Sequence, residues 1–327
     1  MAGQVTGNSK RQIHLDWNTL DQVTWDGFLE KVDNCALQQS WAYGAALKEQ
    51  GARVRRIVAY DGNHPIALAQ VIVRSWFGLV KLATLMRGPV WLEEVSPQTR
   101  QEVYRQLRRL YPRRKMKFLF LTPEATGPEE SALLEAAGLK QVITGYTTLF
   151  LDLGKSEQDI WLGLYGKWRN KIRKGEREGL KVLFGDHGHP KTEWLLSREK
   201  KQQRDKNYKA LPVGLIDAYA RHSLGRDVVM TAFVFNKESD PGKDDPVAGA
   251  IFLRHGNSVT YHIGWNGPDG RKLHAMNILL WKSILELKNR GCTFLDMGGM
   301  NTADGAEIAR FKLGSGGEVA TLPGTYL

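Results

Sequence analysis

The chain has 327 residues, long for one hydrophobic core and comfortable for two domains. With 42% apolar and 25% charged residues it has the composition of a globular protein, and no apolar run approaches the roughly 18 residues of a bilayer-spanning helix. A net charge of +11, from 46 Lys and Arg against 35 Asp and Glu, points to an anionic partner: nucleic acid, an anionic membrane face or a phosphorylated substrate.

The two cysteines, Cys35 and Cys292, lie far apart with no metal-binding spacing, which argues against a zinc site and a disulfide framework. Residues 1–16 carry basic side chains without the apolar segment of a secretory signal. A cytoplasmic chain, at most peripheral to a membrane, is expected.

In chain order, residues 24–34 form a short amphipathic helix with Trp25, Phe28, Leu29 and Val32 on one face. A second helix begins at Ser40, a good N-cap, and runs through Lys48 to Gly51. Arg53–Tyr60 and Pro65–Arg74 are strands of a hairpin turning at Asp61-Gly62-Asn63-His64. A strand at Val80–Arg87, a helix at Pro97–Tyr111, a strand at Lys117–Leu121 and a helix at Glu129–Ala137 follow, then strand from Leu139 to Leu153.

Helices are predicted at Asp159–Arg177, Lys191–Gln203 and Val213–His222, and strands at Val228–Phe235, Val247–Arg254 and Val259–Gly264. A helix over Leu273–Arg290 precedes a buried strand over Cys292–Met297. That strand stops at Gly298-Gly299. A polar loop and a short helix from Asp304 to Arg310 lead to Phe311-Lys312 and a Gly-rich strand reaching Val319. The fold class is α+β, two related units in tandem. The first unit spans residues 1–152. The second spans 153–317 and opens on basic helices.

A strand ending in glycines, with a lysine beside an aromatic shortly after, builds a pocket for an anionic or carbonyl-bearing group. Lys312 and Asp296 are therefore the candidate catalytic residues, with Phe311 placed to stack on a base. Lys167, Lys171 and Lys174 recur at helical spacing on one face beside Trp168, a pattern that matches phosphate oxygens; Arg169 and Arg173 make a second row, and Arg310 adds a further cation. No Ser/His/Asp triad, HExxH, P-loop or dinucleotide fingerprint is present.

Asp296-Met-Gly-Gly, the loop after it, and Phe311-Lys312 before a Gly-rich strand resemble the C-terminal signature of the Fem family, aminoacyl-tRNA-dependent transferases of peptidoglycan bridge formation related to GNAT acyltransferases. The resemblance implies two tandem GNAT-like acyltransferase domains around a central interdomain cleft, the first completed by a C-terminal strand at 318–327, charged tRNA as co-substrate with no metal or other cofactor, and an amine-bearing peptide or cell-wall precursor as acceptor. By position it nominates Lys206, Tyr208, Lys209 and Asn301 as substrate contacts, with Trp41 and Tyr43 on the acceptor side. Some members carry a lysine just after that Trp; here Lys48 is the first. An acyl-CoA or other thioester-dependent N-acyltransferase is the alternative enzyme, although Gly267 and Gly270 precede the helix entry too early for the usual diphosphate cradle. A non-catalytic RNA- or anion-binding module is the alternative of another class.

Overall fold

The computed structural model describes residues 12–77, 79–125, 127–205, 214–225, 227–300 and 305–327. Its strands are β1 Ile13–Trp17, β2 Arg53–Asp61, β3 His64–Trp76, β4 Val80–Met86, β5 Val90–Trp91, β6 Lys117–Thr122, β7 Gln141–Ile143, β8 Thr147–Asp152, β9 Lys181–Gly185, β10 Val229–Phe235, β11 Ala248–His255, β12 Ser258–Asn266, β13 Phe294–Met300, β14 Glu318–Thr321 and β15 Thr325–Tyr326. The helices are α1 Gln22–Leu29, α2 Trp41–Glu49, α3 Pro97–Arg109, α4 Pro128–Ala136, α5 Glu157–Gly163, α6 Gly166–Arg177, α7 Lys191–Asp205, α8 Gly214–His222, α9 Pro268–Lys272, α10 Ala275–Asn289 and α11 Ala306–Leu313.

Among these residues the strands form two sheets, one ordered β1-β2-β3-β4-β6-β15-β7 with β5 on β3, the other β14-β8-β13-β12-β11-β10-β9. The predicted hairpin is present, with Asp61 opposite His64, and Ser40 caps α2 by accepting from the Tyr43 N–H at 3.3 Å. β1, β5 and β9 are not anticipated by the sequence pattern. β5 has two residues, and β1 and β9 are half-buried edge strands whose alternation is weak.

The two sheets exchange chain at the boundary. β8, placed by the sequence reading at the end of the first unit, hydrogen-bonds to β13 and β14 of the second sheet. The C-terminal segment is split: β14 stays in the second sheet, while β15 returns to lie between β6 and β7 of the first. Tyr326 is buried there, and the Thr122 and Thr325 hydroxyls meet at 2.8 Å.

Alternation explains how the second sheet is covered on both faces. Met230, Ala232 and Val234 of β10 enter a core with α6 and α10, while Val229, Phe233 and Phe235 point to the other face. That other face packs α7, α8 and, from the first unit, Tyr43, Ala46 and Leu47 of α2. The units therefore share a hydrophobic core. The first unit's own core lies between its sheet and α3 and α4.

The helix predicted over Asp159–Arg177 is two helices. Leu164 and Tyr165 are extended, and the Tyr165 N–H bonds the Gly314 carbonyl at 3.1 Å. Arg169 closes the break by donating to the carbonyls of Trp161, Leu162 and Leu164 at 3.3, 2.9 and 2.7 Å. It thus caps the C-terminal end of α5 rather than standing free for phosphate.

Because Tyr43 fills the core shared by the units, Tyr43→Ala is expected to lower stability by about 3–5 kcal/mol in urea unfolding. Val23→Ala, on an exposed side chain, is expected to change it by less than about 0.5 kcal/mol. Equal, small effects from both would contradict a shared core.

Candidate active site

The site forms where the second sheet opens. Parallel β12 and β13 pair only from Ser258–Phe294 to Thr260–Asp296, then diverge. On its other side β13 slips register against β8 between Asp296 and Gly299. Gly298 sits inside that irregularity at φ +72°, a backbone region open to glycine and strained for other residues. The divergence frees the carbonyls of Gly298 and Gly299 from the β12–β13 ladder.

Lys312 takes both. Its Nζ donates to the Gly299 oxygen at 2.8 Å and the Gly298 oxygen at 3.2 Å. The described residues thus account for two of the ammonium's three hydrogens. Lys312 is 7% exposed, and burial brings its pKa down to about 8, with the nearby Asp296 charge opposing the fall. The sequence reading puts this lysine after the last helix; it lies within α11, in the final turn.

Asp296, 3% exposed, is held from every side. One carboxylate oxygen accepts from the Gly298 N–H at 2.8 Å and the Thr148 hydroxyl at 2.9 Å; the other accepts from Arg87 Nη1. Burial alone would push this carboxyl up. The Arg87 charge and the hydrogen bonds outweigh it and hold the group below the usual carboxylate range.

Arg87 completes the constellation across the seam. It follows β4 in the first unit, and its Nε and Nη2 each meet one oxygen of Glu124 at 2.5 Å, while Nη1 reaches Asp296 of the second unit. Burial keeps the Glu124 carboxyl raised despite Arg87. The two carboxylates differ because Asp296 has two further donors. With Lys312, two cations offset two anions.

Tyr146, 40% exposed, lies against Gly299, where an added Cβ would stand 3.5 Å from its ring, and the partial burial of the ring lifts its hydroxyl to about 12. His255, buried behind Asp296 with Nε2 2.9 Å from the Thr260 hydroxyl, is pushed down to about 3 and is neutral.

Phe311 tilts against Trp168 with ring centroids 5.2 Å apart, and its carbonyl accepts from the Trp168 indole at 3.1 Å. The basic face of α6 therefore starts beside the helix that carries Lys312. Lys167 and Lys171 are exposed and Lys174 half-buried; Lys171 and Lys174, after burial, help depress His274 at the start of α10. Arg310 is exposed. Tyr43, 2% exposed, is in the shared core, and Trp41 is stacked under Arg56, 3.4 Å from its ring centroid, and edge-on to Trp25. Lys206, Tyr208, Lys209 and Asn301 lie outside the described residues, as does the expected cap Asp304. Arg87, Thr148 and Tyr146 are not found by the sequence reading. The one local signal is an arginine left at a strand end before Gly88-Pro89.

Residues 166–313 match the family model described as an acetyltransferase (GNAT) domain. The structure is similar to the crystal structure of FemX, with a TM-score of 0.79 at 12% identity over 95% of this chain and 96% of that one. The chain has a Fem-like fold. It is also similar to L-PGS from Bacillus licheniformis, with a TM-score of 0.54 at 16% identity over 94% and 90% of the two chains. A tandem GNAT protein from the clavulanic acid biosynthesis pathway aligns with a TM-score of 0.55 at 11% identity over 96% and 98%. No curated protein sequence gives a significant match. The Fem-like fold extends over nearly the whole chain, and the acetyltransferase (GNAT) match lies in its second half. No helix of the described residues is long and apolar enough to cross a membrane.

Arg87→Met is expected to destabilise the protein by about 3–5 kcal/mol, since it leaves two buried carboxylates without their cation. Arg87→Lys is expected to restore little, because an ammonium cannot span Glu124 and Asp296 together. Urea unfolding checks both, and a loss below about 1 kcal/mol for Arg87→Met would show that the pair is dispensable.

Proposed function

We propose that this chain transfers an aminoacyl group from charged tRNA to an amine of a peptide-type acceptor. The observation that carries the reading is the Lys312 ammonium, buried on the Gly298 and Gly299 carbonyls where β12 and β13 part. The opening receives the ester carbonyl of the donor. Lys312 polarises that carbonyl and stabilises the oxyanion of the tetrahedral intermediate, as a preorganised cation in a water-poor site does most effectively.

The acceptor amine attacks as the neutral base. Its nitrogen forms a bond to the ester carbon, the carbon–oxygen bond to the terminal ribose breaks, and the amine proton leaves on the ribose oxygen. The protein need not supply a base. Asp296, bonded to Arg87, the Thr148 hydroxyl and the Gly298 N–H, is a positioning residue that fixes Arg87, the Gly298 turn and the charge near Lys312. Lys167, Lys171 and Arg310 give the acceptor stem an exposed cationic approach beside α11. Lys206, Tyr208, Lys209 and Asn301 remain the proposed contacts for substrate, and a peptidoglycan precursor or another amine-bearing peptide the proposed acceptor. The Fem-like fold supports this reading.

Transfer from an acyl thioester to the amine of a small molecule, sugar or lipid, with release of the thiol, is the second reading, favoured by Lys171 and Lys174 close to the start of α10. Against it, His274 holds the left-handed position at φ +56° where glycine would let backbone approach a diphosphate.

Ribonuclease treatment of a transfer assay in extract is expected to abolish product, and undiminished product would favour the thioester. Lys312→Ala is expected to lower turnover at least about a hundredfold, the loss typical of one oxyanion donor, in protein shown by circular dichroism to be folded at the assay temperature. The required species is the ammonium, so kcat should fall as pH rises through about 8. Lys312→Arg should move that fall upward. A rate with a short amino ester donor that is flat from about pH 7 to about pH 10 would remove Lys312 from the chemistry.

A further inference from the structure

The hairpin joining β3 to β4 carries the largest cluster of exposed apolar side chains that lie together in sequence. Phe77 is 89% and Leu79 77% exposed, Trp76 is exposed beside them, and the Trp76 and Phe77 rings stack with centroids 6.3 Å apart. Phe77 adopts φ +49°, a conformation bulky residues rarely take, and its ring, stacked on Trp76, stands out toward solvent. Exposed Met116 adjoins them, because its carbonyl accepts from the Lys81 N–H at 2.9 Å.

The rim of this cluster is cationic. Arg74 pairs across from Leu82, Lys81 stands opposite Lys117, and the exposed turn Arg113-Arg114-Lys115 enters Met116 directly. No acidic residue occurs from Gly62 to Leu92 or from Val103 to Pro123. None of these six cations forms an ion pair among the described residues.

We infer that this end of the first sheet docks on an anionic phospholipid bilayer, with Trp76, Phe77, Leu79 and Met116 entering the headgroup boundary and the Arg/Lys rim meeting lipid charge. Aromatic side chains favour that boundary, and basic residues around an apolar wedge supply the second signal that stable peripheral binding needs. An aliphatic Leu and Met on the wedge fit lipid better than nucleotide bases, which ask for flat stacking partners. Arg87 is seven residues from Val80 along β4, so the site stands about 23 Å above the docking end, clear of the surface. This holds whichever acyl donor is used.

Co-sedimentation of the full chain with vesicles tests it. Binding is expected to vesicles of phosphatidylcholine mixed with phosphatidylglycerol, and not to phosphatidylcholine alone. Each basic residue near an anionic leaflet is worth roughly a five-fold factor in partitioning, so Arg113→Glu/Arg114→Glu should lower it by more than roughly twenty-fold. Trp76→Ser/Phe77→Ser should lower it at least roughly ten-fold while leaving the thermal midpoint and tRNA binding in solution unchanged. Wild-type protein remaining in the supernatant, or binding both vesicles equally, would overturn the inference. Loss of tRNA binding by the Trp76/Phe77 variant would reassign the patch to RNA.

Discussion

A buried guanidinium between two carboxylates governs this molecule. Arg87 from the first sheet meets Glu124 of its own unit through two nitrogens and Asp296 of the other unit through the third. Taking such charges from water is expensive, and only close geometry with every lone pair satisfied recovers it. Thr148 and the Gly298 N–H add two further donors to Asp296. The arrangement requires both sheets to be in register before it can exist, so it couples assembly of the units to assembly of the site.

The chain exchange between the sheets serves the same end. β8 is fed from the first unit into the second sheet and delivers Thr148 to Asp296, while β15 crosses back and buries Tyr326 beside β6, whose end leads to Glu124. α2 packs against α8 and the second sheet, which closes the seam with apolar side chains. Into it the parting of β12 and β13 exposes two glycine carbonyls, and Lys312 meets them. A cation in that place, kept from water, is poised for a carbonyl oxygen that acquires charge during reaction.

Much of the fold is legible in the residues because local rules and tertiary structure agree. Ser40 begins α2, Gly62-Asn63 turns the β2–β3 hairpin, and the apolar run before Gly298 is a buried strand. Lys312 and Asp296 stand out in the sequence through the Gly298-Gly299 pair, Asp296 just before it in β13 and Lys312 in the helix after it. Arg87 is not, because its partners lie 37 and 209 residues away and nothing near it in sequence marks a buried cation. The strand exchange is hidden likewise, since the alternation of Thr147–Asp152 fits either sheet. Periodicity carries over the break at Leu164-Tyr165 because the contact that makes it, to Gly314, comes from the far end of the chain. The Trp41 helix reads as an acceptor-side element by resemblance, yet its inward face is occupied by α8 and the second sheet.

The most direct measurement is a crystal structure of the full chain with an aminoacyl-adenosine in which an amide replaces the labile ester. The account predicts the carbonyl oxygen in the gap between β12 and β13, within hydrogen-bonding distance of Lys312 Nζ, with the adenosine leading out along α11 toward the basic face of α6. A ligand bound elsewhere with Lys312 still closed on Gly298 and Gly299, or a thioester cofactor occupying that gap with its diphosphate at the start of α10, would contradict it.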